Sequence, residues 1–180
     1  MIVPPLVARA EALAARRGFV RSCLPGVGAL LHVLAARRGL LRAAEIGAGC
    51  GVGSAWIVSA LAPGTPFFTV ELDEERAAGV AELFAEDPDV TVLAGDWYEL
   101  LPSYAPFDLL FLDATKQQPE RNGELVAGLL APGGTLVVDD LTPGRPGLDP
   151  VRSFWLDHPR FVSVELMTTP TTAVIVATRK

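Results

Sequence analysis

The segment Glu45-Ile46-Gly47-Ala48-Gly49-Cys50-Gly51-Val52-Gly53 constrains the chain more than any other, because it sets four glycines at alternate positions where a short apolar strand runs into a helix. Without β-carbons the backbone there can turn sharply and lie close to a ligand, and the helix that follows presents free N–H groups. The rest of the chain repeats that strand-then-helix alternation. Strands are predicted at 43–46, 67–71, 90–94, 107–112 and 135–138, with helices at 52–61, 74–85 and 119–130. Continuous apolar strands such as Phe107 to Leu112 suit burial on both faces of a sheet. Two introductory helices precede them, one carrying Leu6, Ala10, Leu13 and Ala14, the next Val27, Leu30, Leu31 and Leu34 after the Pro25-Gly26 break. Arg16-Arg17 before Gly18, and Arg37-Arg38 before Gly39, read as helix ends, with positive charge on the dipole and a left-handed cap behind it. The tail departs from the pattern: 161–166 and 172–178, split at Pro170, read as an antiparallel pair. The predicted fold is therefore α/β, a mostly parallel sheet covered by helices on both faces, closed by antiparallel C-terminal strands.

Length and charge narrow the function. With 180 residues the chain fits one core, expected as a single domain with introductory helices over 1–40 and an α/β core over 41–180. No apolar run approaches the roughly 18 residues of a membrane span, so no membrane partner is expected. A net charge of −6 disfavours nucleic acid, whose binding draws on Lys and Arg. Cys23 and Cys50 have neither zinc-site spacing nor the number of a disulfide framework, and the N-terminus lacks the features of a secretory signal; a cytoplasmic protein is expected.

In a sheet of this kind ligands collect at the carboxyl ends of the strands, near the point where strand order reverses. The glycine turn occupies one such end. It is not the dinucleotide fingerprint: the sixth residue from Gly47 is Val52, and from Gly49 it is Ser54. Glu71 ends the next strand 20 residues after Gly51, where an acid can accept hydrogen bonds from ribose hydroxyls; a solvated strand-end residue is the plainer alternative. The E-x-G-x-G-x-G form resembles the first motif of class I S-adenosylmethionine methyltransferases, which implies a Rossmann-like seven-stranded sheet. That resemblance implies cofactor contacts from Glu45, Gly47, Gly49, Gly51, Gly53, Ser54 and Leu72, with Glu71 at the ribose. It also lays Asp96 and Trp97 along the adenine, against a helix N-cap and a packing tryptophan as the alternatives.

The fourth strand ends in Phe111-Leu112-Asp113-Ala114-Thr115-Lys116 and the fifth in Val137-Val138-Asp139-Asp140. Neighbouring parallel strands would bring three carboxylates to one rim, which a cation would relieve. Oxygen ligands without His or Cys indicate a hard ion, Mg²⁺ first, then Ca²⁺ or Mn²⁺. These segments resemble the metal-dependent O-methyltransferase family that includes catechol and caffeoyl-CoA O-methyltransferases, over about Leu24 to the C-terminus. The resemblance implies Asp113, Asp139 and Asp140 as metal ligands, Asp113 also beside the cofactor and in catalysis, and Lys116 as general base for a small-molecule acceptor with adjacent hydroxyls. It further implies a homodimer. Asp140 departs from the family's asparagine and Gly53 from its serine, and the introductory region is shorter. The plainer alternatives are Lys116 solvated at a helix start and Asp139-Asp140 capping a loop. His32 and His158 are expected to be structural or exposed, and Trp56 to pack. The competing functions are a regulatory cofactor-binding protein, and a methyltransferase for amino groups or macromolecules.

Overall fold

The computed structural model describes residues 2–114, 119–143 and 149–180. Two helices, α1 (Pro5–Arg16) and α2 (Pro25–Ala35), lead into β1 (Ala43–Ile46), α3 (Val52–Val58), β2 (Phe67–Glu71), α4 (Glu74–Leu83) and β3 (Val90–Ala94). Then follow α5 (Trp97–Leu100), β4 (Phe107–Leu112), α6 (Pro119–Leu129), β5 (Leu130–Leu141), α7 (Pro150–Asp157), β6 (Phe161–Met167) and β7 (Ala173–Arg179). The sheet order is β3-β2-β1-β4-β5-β7-β6, with β7 antiparallel to both neighbours and the other described pairs parallel. This is the doubly wound arrangement expected, and strand order reverses between β1 and β4.

Alternation along β4 shows how the core is divided. Leu109 and Phe111 face a layer with Val27, Leu31, Trp56 and Val80, from α2, α3 and α4. Leu110 and Leu112 face the opposite layer, with Trp97, Val126 and Trp155 from α5, α6 and α7. Period-two side chains on a strand buried on both sides produce such a split. Each fully buried side chain of this size contributes about 1.5–3 kcal/mol. Trp56 packs as expected: its ring fills the space a β-carbon on Gly28 would need, 2.2 Å from Nε1. His32 Nδ1 lies 3.0 Å from the Trp56 carbonyl, and His158 bonds Glu124, so both histidines are structural.

Two differences from expectation have local causes, and one expected feature does more than expected. β5 begins at Leu130, because the Pro132-Gly133-Gly134 stretch is taken into the strand as an irregularity: Phe107 pairs with Leu130 and Leu109 with Thr135. The short α7 is set by its start, where the Asp149 carboxylate accepts from Val151 N and Arg152 N. The arginine pairs also tie elements together: Arg17 donates to the Glu75 carbonyl at 2.7 Å and Arg37 to the Asp108 carbonyl.

Candidate functional site

The carboxyl ends of β1, β2, β3, β4 and β5 surround a cavity of about 510 Å³, roofed by residues 19–24 of the α1–α2 connection. Gly47, Gly49 and Gly51 of the turn take positive φ of 97°, 56° and 82°, and the first two line the cavity floor. Gly49 is doubly constrained: a β-carbon there would sit 2.9 Å from Phe19 Cε1, so the roof rests directly on the loop.

Glu45 and Ser54 lie beneath this loop and not in the cavity. Glu45 is 1% exposed; its Oε2 accepts from Ser54 Oγ and, at 2.8 Å, from Thr69 Oγ1. A β-carbon on Gly53 would fall 2.3 Å from Glu45 Oε1, which is why glycine stands there. Burial pushes the Glu45 carboxyl up to about 7, against the lowering effect of the Ser54 and Thr69 hydroxyls. Together these groups brace the turn from below.

Glu71 reaches the cavity wall at the end of β2. Its Oε2 accepts from Gly49 N at 2.8 Å, and its Oε1 from Asp73 N at 3.0 Å and Arg76 Nη2 at 2.7 Å. Leu72 is 71% exposed at the rim, while the buried Trp97 lines the wall beyond β3. Asp96 caps α5, accepting from Tyr98 N at 3.4 Å, and at the same time lines the cavity.

Register explains the acidic rim. Leu112 pairs with Val138, so the residues that follow them, Asp113 and Asp139, emerge side by side. One oxygen from each of Asp113, Asp139 and Asp140 lies within 4.8 Å of the others. Asp140 takes φ +60°, a left-handed conformation that Asp and Asn tolerate better than other side chains, and its N–H donates to Asp139 Oδ1 at 2.7 Å. An oxygen-only set of this span fits one hard divalent cation, whose ligands stand about 2.0–2.6 Å from the ion. Lys116 lies outside the described residues.

Cys23, Phe19 and Arg76 also line this cavity, and no spacing in the sequence marks them. The Cys23 thiol is pushed well above its ordinary range by burial, then by Asp139 and Asp113 nearby.

A family profile described as a methyltransferase domain matches residues 44–141. Among curated proteins, one from Mycobacteroides abscessus named as an O-methyltransferase is 33% identical over 135 residues, covering 70% of this chain and 61% of its own length. One of the same name from Mycobacterium avium is 35% identical over 133 residues, covering 70% and 60%. The chain thus spans about three fifths of these relatives' length. In fold it is similar to the O-methyltransferase TomG of Streptomyces achromogenes, involved in tomaymycin synthesis and solved with S-adenosylmethionine. That match has a TM-score of 0.82 at 23% identity, covering 99% of this chain and 91% of the other. An O-methyltransferase from Bacillus cereus, solved with S-adenosylhomocysteine, superposes at TM-score 0.82 and 22% identity, covering 100% and 93%.

Proposed function

The chain belongs to the methyltransferase domain family and has its Rossmann-like fold, and from that premise we propose that it moves the methyl group of S-adenosylmethionine to a hydroxyl of a small molecule bearing adjacent oxygens, assisted by a divalent ion, Mg²⁺ by preference. The observation that carries this reading is the meeting of the glycine turn, Glu71 and the three aspartates in one cavity. When bound, S-adenosylmethionine supplies an electrophilic methyl group, and the ion neutralises the rim and acidifies the acceptor hydroxyl.

The protein's own residues bind and orient. The Gly47 to Gly51 turn faces the methionine portion, Glu71 accepts from the ribose, and Leu72, Asp96 and Trp97 flank the adenine. Asp113, Asp139 and Asp140 would hold the ion, which would supply an anchor for the acceptor's adjacent oxygens. Lys116, three residues after Asp113 in sequence, takes the hydroxyl proton in its neutral form. With the cofactor bound, the acceptor oxygen would bond to the methyl carbon while the carbon–sulfur electron pair would stay on sulfur. Residues 19–24 shield the reacting atoms from water, and fixed approach replaces a chance encounter. Glu45 and Ser54 act indirectly, by holding the turn.

We assign the protein to the cytoplasm and to a homodimer. Two free, buried cysteines support the first; no helix of the described residues is long and apolar enough to cross a membrane. Support for the second is a row on the edge strand β6, where Val162, Val164 and Leu166 are 67%, 50% and 40% exposed on one face.

The test is transfer of labelled methyl from S-adenosylmethionine to a panel of aromatic vicinal diols. Product on a diol is expected, with none on the matching methyl ether. Cofactor binding without product on any acceptor would favour the regulatory or other-substrate readings instead.

A further inference from the structure

We propose that Arg76 is a positioning residue for cofactor recognition, acting through Glu71 to aim its carboxylate at a ribose hydroxyl. The inference rests on the reading that Glu71 meets the ribose.

Arg76 lies in the first turn of α4 and lines the cavity. Its Nη2 donates to Glu71 Oε1 at 2.7 Å, and its Nη1 stands 3.4 Å from Asp73 Oδ2. Asp73 also accepts from the Arg76 backbone N–H at 2.8 Å, so one aspartate fixes both ends of the arginine. The guanidinium carbon is 5.7 Å from the centroid of Phe19, the ring that rests on Gly49. Roof, glycine turn, β2 end and α4 therefore meet around one ion pair.

That geometry has a consequence for Glu71. A carboxylate offers about four acceptor directions, and three are taken: two on Oε1 by Asp73 N and Arg76, one on Oε2 by Gly49 N. Among the described residues, the direction left open is on Oε2. Arg76 closes Oε1 and fixes the rotation of the carboxylate, so the open position is set before a ligand arrives, which reduces the ordering cost of binding. Stability alone does not account for the arrangement. An ion pair whose arginine is 34% exposed contributes little, and Arg76 Nε is buried with no acceptor among the described residues.

The test compares S-adenosylhomocysteine with its analogue lacking both ribose hydroxyls, by calorimetric titration. The wild-type protein is expected to prefer the natural ligand by about tenfold or more, the worth of a charge-assisted hydrogen bond. In Arg76→Met the preference is expected to fall to about twofold, through loss of the hydroxyl contact, while affinity for the analogue stays unchanged. Arg76→Lys should recover part of it. Equal weakening of both ligands in Arg76→Met, or an undiminished preference, would overturn the proposal and leave the Glu71 reading standing. A wild-type protein that binds both ligands equally would overturn the Glu71 reading and this proposal with it.

Discussion

A carboxyl group sealed under a glycine turn makes Glu45 a pH-dependent element of the fold. Its folded-state value, about 7, lies above the unfolded 4.5, so the folded chain binds the proton more tightly. Its contribution to stability is therefore complete below about pH 4.5 and is lost as pH rises through 7. A shift of that size is worth on the order of 3 kcal/mol. Glu45→Gln, which keeps an acceptor for Ser54 and Thr69, should match the wild type in urea unfolding at pH 5 and exceed it at pH 8. Equal stability at both would place an unperturbed carboxyl there. At the reacting end, Lys116→Ala should lower turnover by about 10²–10⁴-fold, the range for a lost general base, with S-adenosylhomocysteine affinity retained in a parallel titration. Asp140→Asn should leave thermal stability unchanged, since either residue tolerates φ +60°, but weaken Mn²⁺ binding measured by electron paramagnetic resonance. The meeting of Asp113, Asp139 and Asp140 was legible in the sequence, because parallel neighbours end on the same rim. The inward turn of Ser54 was not, since it depends on the phase at which α3 leaves the loop. Arg76 was hidden for a similar reason: its partner is set by the cap at Asp73.

At the scale of elements, the glycine turn is held between a brace below and a strap above. Gly53→Ala would drive a β-carbon to 2.3 Å from Glu45 Oε1 and 2.9 Å from Phe111 Cε1, both in the buried layer. Overpacking of that kind costs about 1–3 kcal/mol, so the expected outcome is a lower midpoint in thermal unfolding together with weaker cofactor binding. Strand and helix cores were readable from their apolar periodicity, and β1, β2, β3 and β4 lie where the pattern places them. The missed elements are short and set by tertiary context. α5 is four residues long and starts on Asp96, and α7 is fixed by Asp149. The early part of β5 contains Pro132 and two glycines, residues that normally end a strand; pairing with β4 on either side, Phe107 with Leu130 and Leu109 with Thr135, carries the strand past them.

Across the whole molecule, strand order and register do the assembling: β1 and β4 flank the reversal point, and the glycine turn, the Glu71 wall and the acidic rim follow from which strands end there. Glycine spacing and strand-end acids were enough to foresee this layout. The roof was not foreseeable, because residues 19–24 carry no periodicity and reach the cavity only through the packing of α1 and α2 on α3. If the β6 row is the dimer face, Val162→Glu with Val164→Glu should convert a dimer to a monomer in sedimentation equilibrium without loss of helix content. The central claim is that the aspartate rim and the cofactor site form one catalytic cavity. Its most direct test is the rate of methyl transfer to an aromatic vicinal diol after EDTA treatment, followed as Mg²⁺ is restored. The account predicts a rate abolished by chelation, restored by Mg²⁺, and absent in Asp139→Asn at any Mg²⁺ concentration that restores the wild type. A rate indifferent to both EDTA and Asp139→Asn would contradict it.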